Sequence, residues 1–383
     1  MKISLDKNKL FLISFGTWGL FFLLTQITYY NHIIPKSLWY IVCLISVFLL
    51  IIKEYLSLAI EKESINTFFL FGIFFLIFGG YILLKTEGFV FATSIIFIFS
   101  ARDINFKRIL KTFLFFSIFD FLLTYISYIL GIIGSMSTIK DGLLRNSIGF
   151  TYASFPSQLL FHITCAFFVL KNKNLRNYHL VVFLILNYVI YNVTRTTSPF
   201  LLICFLIMLL FMKINLHINI FIDHGFFTKF LSFSYWWSFF ILLWLCFWAP
   251  SGITFAVDKL VNNRLRLSAN GFYNFGVHLF GQKIDFNVLD SLGNYASNYN
   301  YIDSSYMNML VVNGLIFFVI VMFLFTETLI ESSKTKLDTL FVVLVIIAIH
   351  SMFDPQLLLL WYSPFPLLIG KYFYEKSWNL LLT

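Results

Sequence analysis

Charge is scarce in this sequence: Asp, Glu, Lys and Arg together make up 12% of its 383 residues. A soluble domain of that length carries roughly twice as much, so a water-exposed globular fold is excluded. Cysteine is scarcer still. Cys43, Cys165, Cys204 and Cys246 each sit inside an apolar block, and none stands in a CxxC or Cys/His spacing. A disulfide framework or a metal centre is therefore not expected, and inert buried thiols are. The chain also lacks a glycine-rich phosphate loop, a nucleophile elbow, a metal-ligand cluster and an Asp-rich metal motif. Nucleotide hydrolysis and metal chemistry are not expected, and neither a metal nor an organic cofactor is called for. No internal repeat of the inverted kind found in transporters is visible. Nor is there a secretory signal. Met1 to Lys9 run into an apolar stretch reaching Tyr30, too long for a signal core, which reads as a retained first span.

What the chain has instead is apolar bulk: 60% hydrophobic residues, 51 of them Phe. They fall in blocks of about 14 to 25 residues, the length that crosses a hydrocarbon core. The fold class expected is all-α, a polytopic helical bundle forming a single transmembrane domain over residues 1–383. About 12 spans are predicted, near 10–30, 38–52, 67–84, 88–100, 109–133, 151–170, 180–194, 199–212, 229–249, 306–330, 338–351 and 355–370. The net charge of +9 lies between these blocks rather than on a soluble face, so no nucleic-acid partner is implied. With the N-terminus inside, 18 of the 27 basic residues fall on the cytoplasmic side. Both termini are accordingly expected in the cytoplasm. One connection is long. Residues 250–305 form a large outer loop between spans nine and ten, rich in Asn, Tyr, Ser and Gly, as in Gly293 to Tyr301. Long loops inside compact domains are usually functional. Phe255 to Leu267 has the pattern of an amphipathic helix lying on a membrane.

Five outward places carry chemistry. Arg145 precedes span six, where it serves either a ligand or an interfacial anchor. Arg195 stands in Thr194-Arg195-Thr196-Thr197-Ser198-Pro199, where the Thr/Ser run and Pro199 break the helix. Broken helices at membrane depth line cavities or lie buried in protein, and an intramembrane Arg is a functional candidate by default. Arg264 and Arg266 lie in the long loop, with His278 downstream. Guanidinium groups bind phosphate oxygens in a two-pronged way, so these arginines suit a phosphate or a lipid head group. Asp303 stands at the mouth of span ten, as a general base, a helix cap, or both. His350 and Asp354 mark a polar break between spans eleven and twelve. Inside the spans, Asp120 and His162 are expected to pair between adjacent helices.

Taken in order, these features resemble the bacterial repeat-unit polymerases of O-antigen and capsule synthesis (the Wzy type), relatives of the O-antigen ligases. RNSIGFTY at 145–152 is similar to that family's Arg-x-Ser-x-Gly-Phe element, and TRTTSP at 194–199 to its Thr/Ser-Arg-Thr element. RLRLSANGFYNFGVHLFG at 264–281 and YIDSSYMNMLVVNGL at 301–315 are similar to its loop and the segment leading into the next span. Two positions depart from the pattern. Ala153-Ser154 stand where a Pro-Asn pair often follows the first element, and Asp303 stands where ligases carry His. The second departure favours a polymerase over a ligase.

The resemblance implies an inverting, metal-independent glycosyltransferase of the bacterial cytoplasmic (inner) membrane. It would join polyprenyl-diphosphate-linked oligosaccharides into O-antigen (lipopolysaccharide) or capsular polysaccharide at the outer face. Arg145, Arg195, Arg264 and Arg266 would bind the diphosphate, Asp303, His278 or His350 would act on the attacking hydroxyl, and Tyr273, Tyr301 and Tyr306 would stack on sugars. Membrane lipids, a chain-length regulator and a flippase are the partners implied. A lipid-linked oligosaccharide flippase and an O-antigen ligase are the alternative readings. The charge bias is testable with reporter fusions. GFP fused after Thr383 is expected to fluoresce, and alkaline phosphatase inserted within residues 250–305 is expected to be active. The reverse result would invert the topology.

Overall fold

The computed structural model describes residues 6–60, 63, 65–140, 142–216, 225–288, 299–335 and 337–374. Away from water a backbone must satisfy its own hydrogen bonds, and a helix is the only open segment that does so. The apolar blocks accordingly form α1 (Lys7–Ile27), α2 (Ser37–Tyr55), α3 (Thr67–Thr86), α4 (Phe89–Ser100) and α5 (Phe106–Ile129). A hairpin follows, β1 (Ser137–Lys140) antiparallel to β2 (Leu143–Asn146), with Thr138 opposite Arg145. Next come α6 (Phe155–Lys171), α7 (Asn177–Thr194), α8 (Thr197–Leu216), α9 (Phe226–Ser232) and α10 (Ser234–Phe247). The long loop holds α11 (Ser251–Leu260) and α12 (Arg264–Phe275). The chain ends with α13 (Ser305–Asn308), α14 (Leu315–Lys334), α15 (Asp338–His350) and α16 (Ile369–Tyr372).

Lipid-facing helices carry apolar side chains outward. On α2, Leu44, Phe48 and Ile51 follow helical spacing and are exposed, as are Val182, Ile185 and Val189 on α7. The interior is aromatic: Phe11, Phe15, Trp18 and Phe22 form one stripe of α1, packed on Phe97, Phe116 and Trp361. The Trp18 indole donates to Thr93 Oγ1 at 3.1 Å, so this polar group is satisfied in the core. By contrast α15 is buried on nearly every side, between α6, α8, α10 and α14.

The structure supports a helical membrane architecture and does not confirm the count of about 12 spans. Among the described residues seven helices are long and apolar enough to cross a membrane, or up to eight if α9 and α10, bent by 67°, form one span. Two predicted spans, α4 and α15, are only 12 and 13 residues long. The predicted twelfth, 355–370, is turns and a single 3-10 turn followed by α16, because Pro355, Pro364 and Pro366 interrupt helical pairing. The predicted tenth span is split at Gly314, whose φ of +95° closes a π turn before α14 begins. Asp120 and His162 do not pair: both are buried, and neither side chain has a hydrogen-bond partner among the described residues. Cys43 and Cys165 are buried thiols, whereas Cys204 and Cys246 are half-buried. The expected membrane-lying helix at Phe255 to Leu267 is two helices, of which α11 exposes Ile253 and Phe255. Part of the Tyr- and Asn-rich stretch, 289–298, lies outside the described residues.

Where α1 begins and α2 and α4 end, buried charges gather. Arg102, fully buried, donates to Glu63 at 2.9 and 2.7 Å and to Glu54 at 2.6 Å. Lys53, also fully buried, meets Asp103 at 2.5 Å and Ser100 O at 2.9 Å, and Lys7 reaches Asp103 at 3.0 Å. Burial alone would raise the Asp103 pKa, but Lys53, Arg102 and Lys7 hold it well below the ordinary carboxylate range. Lys371 of α16 donates to the carbonyls of Arg102 and Ile104, and Gly370 lets α16 lie against Ile98 O, where a Cβ would come within 2.1 Å. Breaking a buried pair strands its partner. Arg102→Ala is expected to lower unfolding stability by about 3–5 kcal/mol, read as a fall in melting temperature in detergent. Lys334→Ala, at a largely exposed pair with Glu331, should leave it within about 1 kcal/mol.

Candidate functional site

At the other end of α1 the helices part around a cavity of about 1360 Å³. Its walls come from the end of α1, the α3–α4 turn, β2, the start of α6, α12, the loop strand through Phe286 and Tyr301, and the turn after α15. The start of α4 and the turn that follows α15 both reach this wall.

Arg264 opens α12, whose first amides are capped by Asp258 Oδ1 at 2.9 and 3.3 Å. Its guanidinium Nη1 donates to Phe353 O and lies 3.4 Å from Asp354 Oδ2. Gln158 Nε2 donates to the same Asp354 oxygen, and Gln356 Nε2 donates to Gln158 Oε1 at 2.8 Å. Arg264 is thus tethered from behind while it lines the cavity in front. Arg266, one step along α12, is exposed at the cavity wall. Arg145 arrives on β2, its Nε donating to Thr194 O at 2.8 Å and its Nη2 to Thr196 Oγ1 at 3.5 Å. Behind it, Ser147 and Asn146 hold the turn at Ile148 and Gly149, where φ is +45° and +90°. Gly149 also brings its backbone within a Cβ distance of 3.0 Å from Thr124. The Arg-x-Ser-x-Gly-Phe spacing therefore builds a tight turn that aims Arg145.

Asp303 lines the cavity half-buried, with no hydrogen-bond partner for its carboxylate among the described residues. Ser304, not Asp303, caps α13, accepting from Met307 N, which leaves Asp303 available. Burial raises the Asp303 pKa, and Arg264 pulls it back. Tyr301 lines the same wall, its ring edge-on to Phe286 at 4.9 Å.

The other sequence candidates lie elsewhere. Arg195 occupies the left-handed C-cap of α7 at φ +52° and donates to Asn192 Oδ1, so the Thr-Arg-Thr element reaches the cavity through its threonines and Arg145. His278 has an exposed side chain, and its carbonyl accepts from Leu315 N at 3.0 Å. Tyr273 is exposed against Phe247. Tyr306 is fully buried and donates to Ala348 O at 2.6 Å. His350 is buried behind the wall, stacked on Phe161 at 4.2 Å, with Nε2 3.7 Å from Asp354 Oδ2.

Sequence reasoning passed over Lys85, Glu87, Lys283, Tyr152 and Trp361, all on the cavity wall. A signal for Glu87 existed: Lys85 in the last turn of α3 and Glu87 in the two-residue gap before α4 put two charges between apolar helices. Burial lifts the Glu87 pKa to about 6, against a 2.6 Å hydrogen bond from Asn313. Comparison with family models, curated proteins and solved structures finds none that matches this chain.

Burial pushes the Asp354 carboxyl up, and the Arg264 guanidinium beside it opposes that shift.

Proposed function

We propose that this protein is an inverting, metal-independent glycosyltransferase of the bacterial cytoplasmic membrane that polymerises polyprenyl-diphosphate-linked oligosaccharide repeat units. The observation that carries the reading is convergence. Arg145, Arg264, Arg266 and Asp303 come from three stretches far apart in sequence and line one cavity in a helical membrane protein. Its volume of about 1360 Å³ exceeds the roughly 300–1,000 Å³ of a single small-ligand site. Two substrates have room to meet.

In this reading the diphosphate of the donor lies against the arginines. Charge grows on its oxygens as the anomeric C–O bond breaks, and preorganised guanidiniums stabilise that charge at no cost in reorganisation. The acceptor hydroxyl oxygen attacks the anomeric carbon from the opposite face and forms the new C–O bond. Its proton passes to Asp303, and the diphosphate leaves with the electron pair. A carboxylate whose pKa is raised by burial is a better proton acceptor than an ordinary one. The tether from Asp354 supplies the preorganisation of Arg264, since a guanidinium held from behind loses little freedom on binding.

Surface-glycan gel profiles test the proposal in a strain lacking the gene, complemented at matched protein levels. Wild type is expected to restore a long ladder, and Arg264→Ala to leave a single-repeat band, from a rate loss of roughly 10²–10³. A full ladder with Arg264→Ala would remove that residue from the site. Loss of even the single repeat on deletion, with lipid-linked units accumulating, would replace the polymerase with a flippase or ligase.

A further inference from the structure

By chemistry the lining of the cavity divides into an arginine wall and an acidic wall. The first is Arg145, Arg264 and Arg266 with Asn262 and Asn263. The second, at the α3–α4 turn, is Glu87 and Phe91 with Asn308, and Tyr301 feels the charge of Glu87, Asp303 and Asp354. This second wall is rigid. Asn313 Nδ2 donates to Glu87 Oε1 at 2.6 Å and to Thr86 Oγ1 at 3.0 Å. Lys85 Nζ donates to the carbonyls of Phe280 and Gly281 at 3.4 and 3.3 Å, fastening the outer loop to the turn. Gln282 N donates to Val312 O at 2.8 Å, and Gly281 and Gly314 approach so closely that a Cβ on either would strike the other strand's backbone. Glu87 is therefore held by one oxygen, and its second oxygen has no hydrogen-bond partner among the described residues.

Beside it, Phe91 meets Trp361 edge-on at 5.5 Å. The Trp361 side chain is 2% exposed, lines the cavity, and its indole N–H has no acceptor among the described residues. A fixed carboxylate oxygen with a free lone pair accepts hydroxyl protons, as a sugar supplies them. A second diphosphate would be repelled by Glu87 and Asp303.

We propose that this wall is the acceptor-glycan subsite, with Glu87 as the residue that grips the sugar hydroxyls. The assignment rests on the polymerase reading: the arginine wall takes the donor diphosphate, and the Glu87 wall presents a neutral sugar to Asp303. It separates substrate binding from the chemistry. Glu87 positions the acceptor, and Asp303 receives the proton.

Isothermal titration of the full chain in nanodiscs tests it with two probes: inorganic pyrophosphate, and the lipid-free oligosaccharide released by mild acid from the host's own polyprenyl-diphosphate pool. Glu87→Gln keeps an acceptor for Asn313 but turns an amide donor toward the cavity, so its melting temperature should match wild type. It is expected to bind the oligosaccharide about tenfold more weakly or worse, the loss of a charge-assisted hydrogen bond, with pyrophosphate affinity unchanged or higher. Arg264→Ala should show the opposite pattern. Wild-type oligosaccharide affinity in Glu87→Gln, or none in wild type, would overturn the subsite while leaving the diphosphate reading intact. Absence of pyrophosphate binding in wild type, or its persistence in Arg264→Ala, would instead overturn the reading beneath it.

Discussion

A guanidinium with almost no water around it needs a counter-charge, and much of the cavity follows from how Arg264 obtains one. Asp354 lies in a polar break after α15, where its side chain meets Arg264 and Gln158. Its backbone carbonyl accepts from Ser305 N at 3.0 Å, and Ser305 Oγ accepts from Leu357 N at 3.0 Å. One turn thereby fixes α12, α13 and α6 relative to α15. An isolated buried charge costs several kcal/mol or more, whereas a paired and hydrogen-bonded one is tolerated. The pair is thus a condition for keeping an arginine on the inner wall at all, rather than a large source of stability.

The same constraint organises the opposite end. Arg102, Lys53 and Lys7 meet Glu54, Glu63 and Asp103 where α1 starts and α2 and α4 finish. α1 connects the two polar clusters over 21 residues, about 31 Å, close to the thickness of a hydrocarbon core. Between them the interior is Phe and Trp. α4 and α15 are only 12 and 13 residues long, and the turns that flank them line the cavity. Irregular backbone at membrane depth persists only where it is buried in protein or lines a cavity. The turn through Asp354 and Pro355 satisfies that requirement by doing both.

Much of the candidate site was legible as residues and little of it as geometry. Arg145, Arg264, Arg266, Asp303 and Tyr301 stood out because charge and Tyr-rich loops are unusual in so apolar a chain, and they share the cavity. Arg195 stood out for the same reason, yet a left-handed cap turns it toward Asn192 while Thr194 and Thr196 hold Arg145. In sequence His350 read as an alternative to Asp303, and Tyr306 as a ring like Tyr301. Helical phase buries both, one against Phe161 and the other against the α15 backbone. Glu87 was hidden by its context, since a charged turn between apolar helices reads as ordinary topology.

By itself the sequence determined the helical, membrane-spanning character of the protein, because apolar blocks of that length leave the backbone no other way to satisfy its hydrogen bonds. It also determined which polar residues are rare enough to matter. Only the tertiary structure decided how many of those blocks are long helices, since prolines and Gly314 break some of them in ways that average hydropathy does not register. Only it decided which charges meet. The contact of Arg264 with Asp354 spans 90 positions and that of Asn313 with Glu87 spans 226, distances over which the chain carries no local signal of its own packing.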